Sequence, residues 1–133
     1  MPAPKSFPLP PGTKVLGRHV HLDLYECTAG ILSAPADSER ILNAAAHEMN
    51  ATIVGSHFHA FNPHGVSGVV VIAESHLTVH TWPEHNYAAI DIFSCGDLDL
   101  DAGIKLLIAE FGARRHYLAA FDRGWVNDHS SGG

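Results

Sequence analysis

Positive charge is scarce in this 133-residue chain: 8 Lys and Arg stand against 14 Asp and Glu, a formal net charge of −6 with histidine neutral. The cations form no run, so the footprint of a nucleic-acid binder, or of a protein drawn to anionic membrane, is absent. No apolar stretch approaches the roughly 18 residues that a membrane-spanning helix needs. The start, Met1-Pro2-Ala3-Pro4-Lys5, continues into more prolines instead of the apolar core of a secretory signal. Cysteine is rare as well. Cys27 and Cys95 are the only two, a count that suits a reducing cytoplasm. Lysine is limited to Lys5, Lys14 and Lys105.

What is present is an ordinary globular composition, 46% hydrophobic and 17% charged, in a chain of the length of one domain. Residues 1–14 carry five prolines and read as an extended leader. From Gly17 to Cys27 apolar and polar residues alternate as in a strand, with Val20, Leu22 and Leu24 on one side. Ile41, Leu42, Ala45, Ala46 and Met49 share one face of a helix expected over 37–49, with Asn50 as its stop. Strands are expected over 51–61, 66–74, 76–81 and 87–95, with turns at Asn62-Pro63-His64-Gly65 and Pro83-Glu84-His85-Asn86. A second helix carries Leu100, Ile104, Leu107, Ile108 and Phe111 up to Gly112, and a last strand covers 115–121. Residues 122–133, ending Ser-Ser-Gly-Gly, read as a flexible tail. The pattern predicts an α+β fold: a two-layer sandwich of a mostly antiparallel sheet with two helices on one face.

Eleven histidines need an explanation. His19-x-His21 and His57-x-His59 are i, i+2 pairs, each on one face of a strand, and imidazole suits zinc, copper or iron. A cupin-like metal site would add a glutamate soon after His59, where Asn62, Pro63 and His64 stand instead. Ser75 lies close to His76, His80 and His85, but no G-x-S-x-G elbow surrounds it, so a serine hydrolase has no positive support. The densest chemistry is Glu74-Ser75-His76-Leu77-Thr78-Val79-His80-Thr81-Trp82-Pro83-Glu84, directly after the apolar run Val69-Val70-Val71-Ile72-Ala73.

That stretch, read from Gly65 through Glu84 and on through Tyr87-Ala88-Ala89-Ile90-Asp91-Ile92-Phe93-Ser94-Cys95-Gly96, closely resembles the prokaryotic S-adenosylmethionine decarboxylase proenzymes. Gly17-Arg18-His19, Tyr25-Glu26-Cys27 and Ala51-Thr52-Ile53-Val54 look like the same family, so the resemblance spans roughly residues 15–121. It implies a chain that cuts itself between Glu74 and Ser75. The Ser75 oxygen would attack the Glu74 carbonyl to give an ester. Elimination and hydrolysis would then release ammonia and leave residue 75 as an N-terminal pyruvoyl group, with a β chain of 1–74 and an α chain of 75–133.

By the same resemblance His80 serves processing as proton acceptor, Ser67 assists it, and Cys95 returns a proton to the substrate after carbon dioxide leaves. An ordinary thiol carries its proton at neutral pH, as that role requires. Phe61 and Trp82 match the aromatics that bracket adenine, and Glu84 the carboxylate that holds the ribose hydroxyls. The implied product feeds spermidine and polyamine synthesis, and the implied assembly is a dimer of αβ protomers whose sites draw on both. No catalytic metal and no nicotinamide are expected. Pyridoxal phosphate, the other electron sink for such chemistry, needs a lysine and a phosphate cradle, and the three lysines lie in or near the leader or on an amphipathic helix. The same machinery acting on arginine or ornithine, or a histidine-rich metal-binding protein, are the alternatives the residues leave open.

Overall fold

The computed structural model describes residues 13–127. Six strands form one sheet: β1 (Thr13–Tyr25), β2 (Ile53–Ala60), β3 (Val66–Ile72), β4 (Ser75–Trp82), β5 (Tyr87–Ser94) and β6 (Arg115–Asn127). Their spatial order is β2-β3-β4-β5-β1-β6, and each neighbouring pair is antiparallel. Helices α1 (Pro35–Glu48) and α2 (Leu100–Glu110) complete the expected two-layer α+β sandwich.

Alternation along each strand builds the layers. Val20, Leu22 and Leu24 of β1, Leu77 and Val79 of β4, and Ala88, Ile90 and Ile92 of β5 are buried in one cluster. Ile41, Leu42, Ala45 and Ala46 of α1 and Ile104, Leu107 and Phe111 at α2 join that cluster from the helical layer. The residues in between, such as His19, His21, Thr78, His80, Asp91 and Phe93, point to the other face, which no helix among the described residues covers. α1 begins two residues earlier than the spacing predicts, because Pro35 fits the first helical turn, where its missing N–H costs nothing. Asn50 ends α1 with a φ of 64°, and Asp99 caps α2 by accepting from the Ala102 N–H at 3.2 Å.

The largest boundary differences from the sequence pattern lie at the β1–β6 pair. Thr13 and Lys14, placed in the leader by their prolines, open β1, and residues 122–127, read as tail, belong to β6. Each extension is held by the other: Thr13 pairs with Asn127, Lys14 with Val126 and Gly17 with Arg123. Asp122-Arg123-Gly124 has the composition of a turn, and Gly124 keeps a positive φ of 76°, but ladder pairs on either side of it hold the segment within β6. The remainder of the leader (1–12) and of the tail (128–133) lies outside the described residues.

α2 packs on the end of α1 through Gly103, where an added Cβ would collide with Cγ and Sδ of Met49. Alanine is better than glycine in a helix interior by about 1 kcal/mol, but overpacking a core typically costs about 1–3 kcal/mol. Met49 is fully buried and has no solvent to swing into. Gly103→Ala should therefore destabilise the protein by about 1 kcal/mol net, read as a lower urea midpoint at unchanged slope.

Candidate active site

The chain reverses between β3 and β4 at Ala73 and Glu74, and this corner is tied down on both sides. The Ala73 N–H donates to the Thr52 carbonyl at 2.8 Å, and the Thr52 N–H donates to Glu74 Oε1 at 3.2 Å. The Glu74 carbonyl oxygen accepts twice from Cys95, from its N–H at 2.9 Å and from its Sγ at 2.9 Å. The next residue, Ser75, has a φ of 146°, a conformation that side chains other than hydrogen seldom adopt. Its Oγ lies 3.3 Å from His76 Nδ1. Beside Cys95 opens a cleft of about 370 Å³, lined also by Gly17, Arg18, Gly96 and Asp97. Cys95 is exposed, and neither it nor the buried Cys27 forms a disulfide. Burial pushes the Cys27 thiol up to about 11, which leaves it a core residue.

A second group of the expected residues sits toward the other end of β4. Ser67 and His80 are cross-strand partners, and Ser67 Oγ lies 2.7 Å from His80 Nδ1. Ser67, His80, Phe61, Trp82 and Glu84 line one cleft of about 290 Å³. Phe61 is 52% exposed and Trp82 41%, so neither ring is used up in the core and each can offer a surface to the cleft. Glu84 stands in the single 3-10 turn Pro83–His85 that follows Trp82. The loop carrying Phe61 is closed by its own N–H on the Gly65 carbonyl at 2.8 Å.

The structure thus unites Glu74, Ser75 and Cys95, and separately Ser67, His80, Phe61, Trp82 and Glu84. It does not bring His80 or Ser67 to Ser75 within one chain: five residues of extended strand place His80 about 16 Å from Ser75. The two His-x-His pairs stay apart too. β2 carries His57 and His59 and lies four strand positions from β1, or about 19 Å.

Two contributors escape sequence reasoning. His76 is the hydrogen-bond partner of Ser75 Oγ, and its only signal is adjacency, which on a strand normally puts neighbours on opposite faces. Tyr87 stacks behind Trp82, ring centroids 5.2 Å apart, and also against Tyr25 at 5.2 Å. Its hydroxyl donates to Asp23 Oδ1 at 2.6 Å; burial first, then that bond, pushes the phenol well above its ordinary range. The pairing of Trp82 with Tyr87 across the Pro83–Asn86 turn was the available clue.

The S-adenosylmethionine decarboxylase family profile matches residues 18–124. An S-adenosylmethionine decarboxylase proenzyme of Pseudomonas aeruginosa (strain LESB58) is 47% identical over 111 residues, covering 83% of this chain and 69% of the relative. The proenzyme of Thermotoga petrophila is 49% identical over 112 residues, covering 84% of this chain and 86% of its own length. The crystal structure of the adenosylmethionine decarboxylase from Aquifex aeolicus superposes with a TM-score of 0.79 at 36% identity, covering 87% of this chain and 97% of that one. Sequence over residues 18–124 and backbone over 87% of the chain point the same way, and the chain belongs to the S-adenosylmethionine decarboxylase family.

Proposed function

We propose that this protein cuts itself between Glu74 and Ser75, carries a pyruvoyl group at residue 75 and decarboxylates S-adenosylmethionine to the aminopropyl donor of polyamine synthesis, in the cytoplasm. The observation that carries this reading is the double hydrogen bond from Cys95 onto the Glu74 carbonyl, next to a serine at φ 146°. When Ser75 Oγ attacks that carbonyl, negative charge develops on the oxygen that Cys95 already addresses, and preplaced donors stabilise such an oxyanion. A non-glycine residue at such a φ costs of order 1–3 kcal/mol, a strain that opening the peptide bond relieves. His76 Nδ1 is within reach of the Oγ proton, which passes to the departing Ser75 nitrogen as the C–N bond breaks and the C–O bond forms.

The site fits the group that the family implies, since the serine that becomes it and the thiol that serves it meet at one carbonyl. A pyruvoyl group at residue 75 supplies the electron sink that loss of carbon dioxide requires. Cys95, released from the Glu74 carbonyl by cleavage, is left beside residue 75 to deliver a proton to the substrate. Phe61 and Trp82 bracket the adenine and attract the sulfonium charge, and Glu84 accepts from the ribose hydroxyls. Tyr87 and Asp23 hold the Trp82 ring from behind.

Two half-sites about 16 Å apart on a sheet face without a helical cover favour a dimer. Face-to-face packing of two copies about a two-fold axis places Ser67, His80 and the aromatic cleft of one against Ser75 and Cys95 of the other. His80 then serves processing across the interface. The net charge of −6 gives no basic footprint for nucleic acid, and among the described residues no helix is long and apolar enough to cross a membrane.

Intact mass under denaturing conditions should show a fragment ending at Glu74 and a second beginning at residue 75 without a free amine. Ser75→Ala should stay whole. Carbon dioxide released from carboxyl-labelled arginine or ornithine, but not from S-adenosylmethionine, would overturn the substrate. The shared site has its own test: Ser75→Ala and His80→Ala chains, each expected to remain uncut alone, are co-expressed. The His80→Ala chain should then be cut and the Ser75→Ala chain not, because one native half-site pair re-forms. No cleavage on co-expression would place His80 and Ser75 in a single-chain site.

A further inference from the structure

Beyond the processing residues, the open face carries a cluster with no role in the chemistry above. His19 and His21 project side by side from β1, and Asp91 reaches toward them from β5, where it pairs directly with His21. Asp91 Oδ1 lies 3.9 Å from His19 Nε2 and 3.8 Å from His21 Nε2, and the three ligand atoms all fall within 4.8 Å of one another. These distances are too long for hydrogen bonds. His19 Nε2 is buried and has no hydrogen-bond partner, a condition that folded proteins rarely tolerate without a use.

We propose that His19, His21 and Asp91 bind one divalent transition-metal ion of the zinc and cobalt class, clamping β1 to β5. Two imidazoles with one carboxylate form a donor set that such ions favour over magnesium or calcium. A point equidistant from three atoms so spaced is roughly 2.5 Å from each, so shifts of about 0.4 Å reach the 2.0–2.2 Å of zinc–nitrogen and zinc–oxygen bonds.

Arg123 of β6 is the competitor. Its Nη1 lies 3.3 Å from His19 Nδ1, and a guanidinium can only donate. In the metal-free state Nδ1 therefore accepts and the ring hydrogen sits on Nε2. Metal capture moves that hydrogen to Nδ1 and requires Arg123 to turn away from His19. The arginine also rests over Phe93, 5.5 Å from its ring centroid. The arrangement thus predicts that arginine and metal exclude each other.

The test uses tag-free full-length protein, stripped with a chelator and titrated with cobalt(II) by absorption and with zinc(II) by calorimetry. One ion per chain and a raised melting temperature are expected. His21→Ala and Asp91→Asn should each lose the ion, Arg123→Met should bind it more tightly, and His57→Ala with His59→Ala should bind as the parent does. Absence of stoichiometric binding, binding that survives His21→Ala but not the β2 double variant, or weaker binding by Arg123→Met overturns the proposal. His21→Ala should still cut itself, and cleavage read by mass on the same samples separates a failure of the metal site from a failure of the decarboxylase reading.

Discussion

A sheet covered by helices on one side only is the constraint from which the rest of this molecule follows. Strand alternation sends every second side chain into the helical layer, where aliphatic residues fill a continuous core. The other half of the side chains are released from packing. That half contains most of the imidazoles, Asp23, Asp91, Ser67 and the rings of Trp82, Tyr87 and Phe93. The chemistry is therefore carried on a rigid support without intruding on the core. The support is also unfinished in a single chain, because rings as large as Trp82 and Tyr117 remain open on it.

Within that frame the corner at Glu74 has an unusual property. Hairpin corners usually carry glycine or asparagine when a positive φ is needed, yet here a serine takes it, flanked by a carbonyl held from two directions by one cysteine. Local preference and tertiary bonding conflict at this one peptide. Such conflicts persist where the surroundings over-determine them, and they collect at sites of function.

The layers were legible in the sequence because they rest on periodicity. Val20, Leu22 and Leu24, or Ile104, Leu107 and Phe111, announce their buried face without knowledge of any partner. The residues that open β1 and close β6 were not legible, because Lys14 and Arg123 are extended only through strands more than a hundred positions away. Family likeness placed Ser75, Cys95, Ser67 and His80 at their positions, but spacing alone could not show that the sheet holds them as two separate groups, Ser75 with Cys95 and Ser67 with His80. The bond between Ser75 and His76 could not be read from their adjacency, for a different reason. Strand alternation predicts opposite faces for neighbours, and it fails where the backbone of Ser75 departs from strand geometry.

The order of strands has a further consequence for a chain broken at Glu74–Ser75. The first fragment would own β1, α1, β2 and β3, and the second β4, β5, α2 and β6. Yet β1 lies between β5 and β6, and β3 lies against β4. The two pieces are interleaved like fingers of clasped hands, joined along three separate ladders, and helices from both pieces share one core. Severing the backbone removes one covalent link and leaves every hydrogen-bonded seam closed. The fragments cannot drift apart one strand at a time, so the new chain end at residue 75 stays fixed in the middle of the sheet.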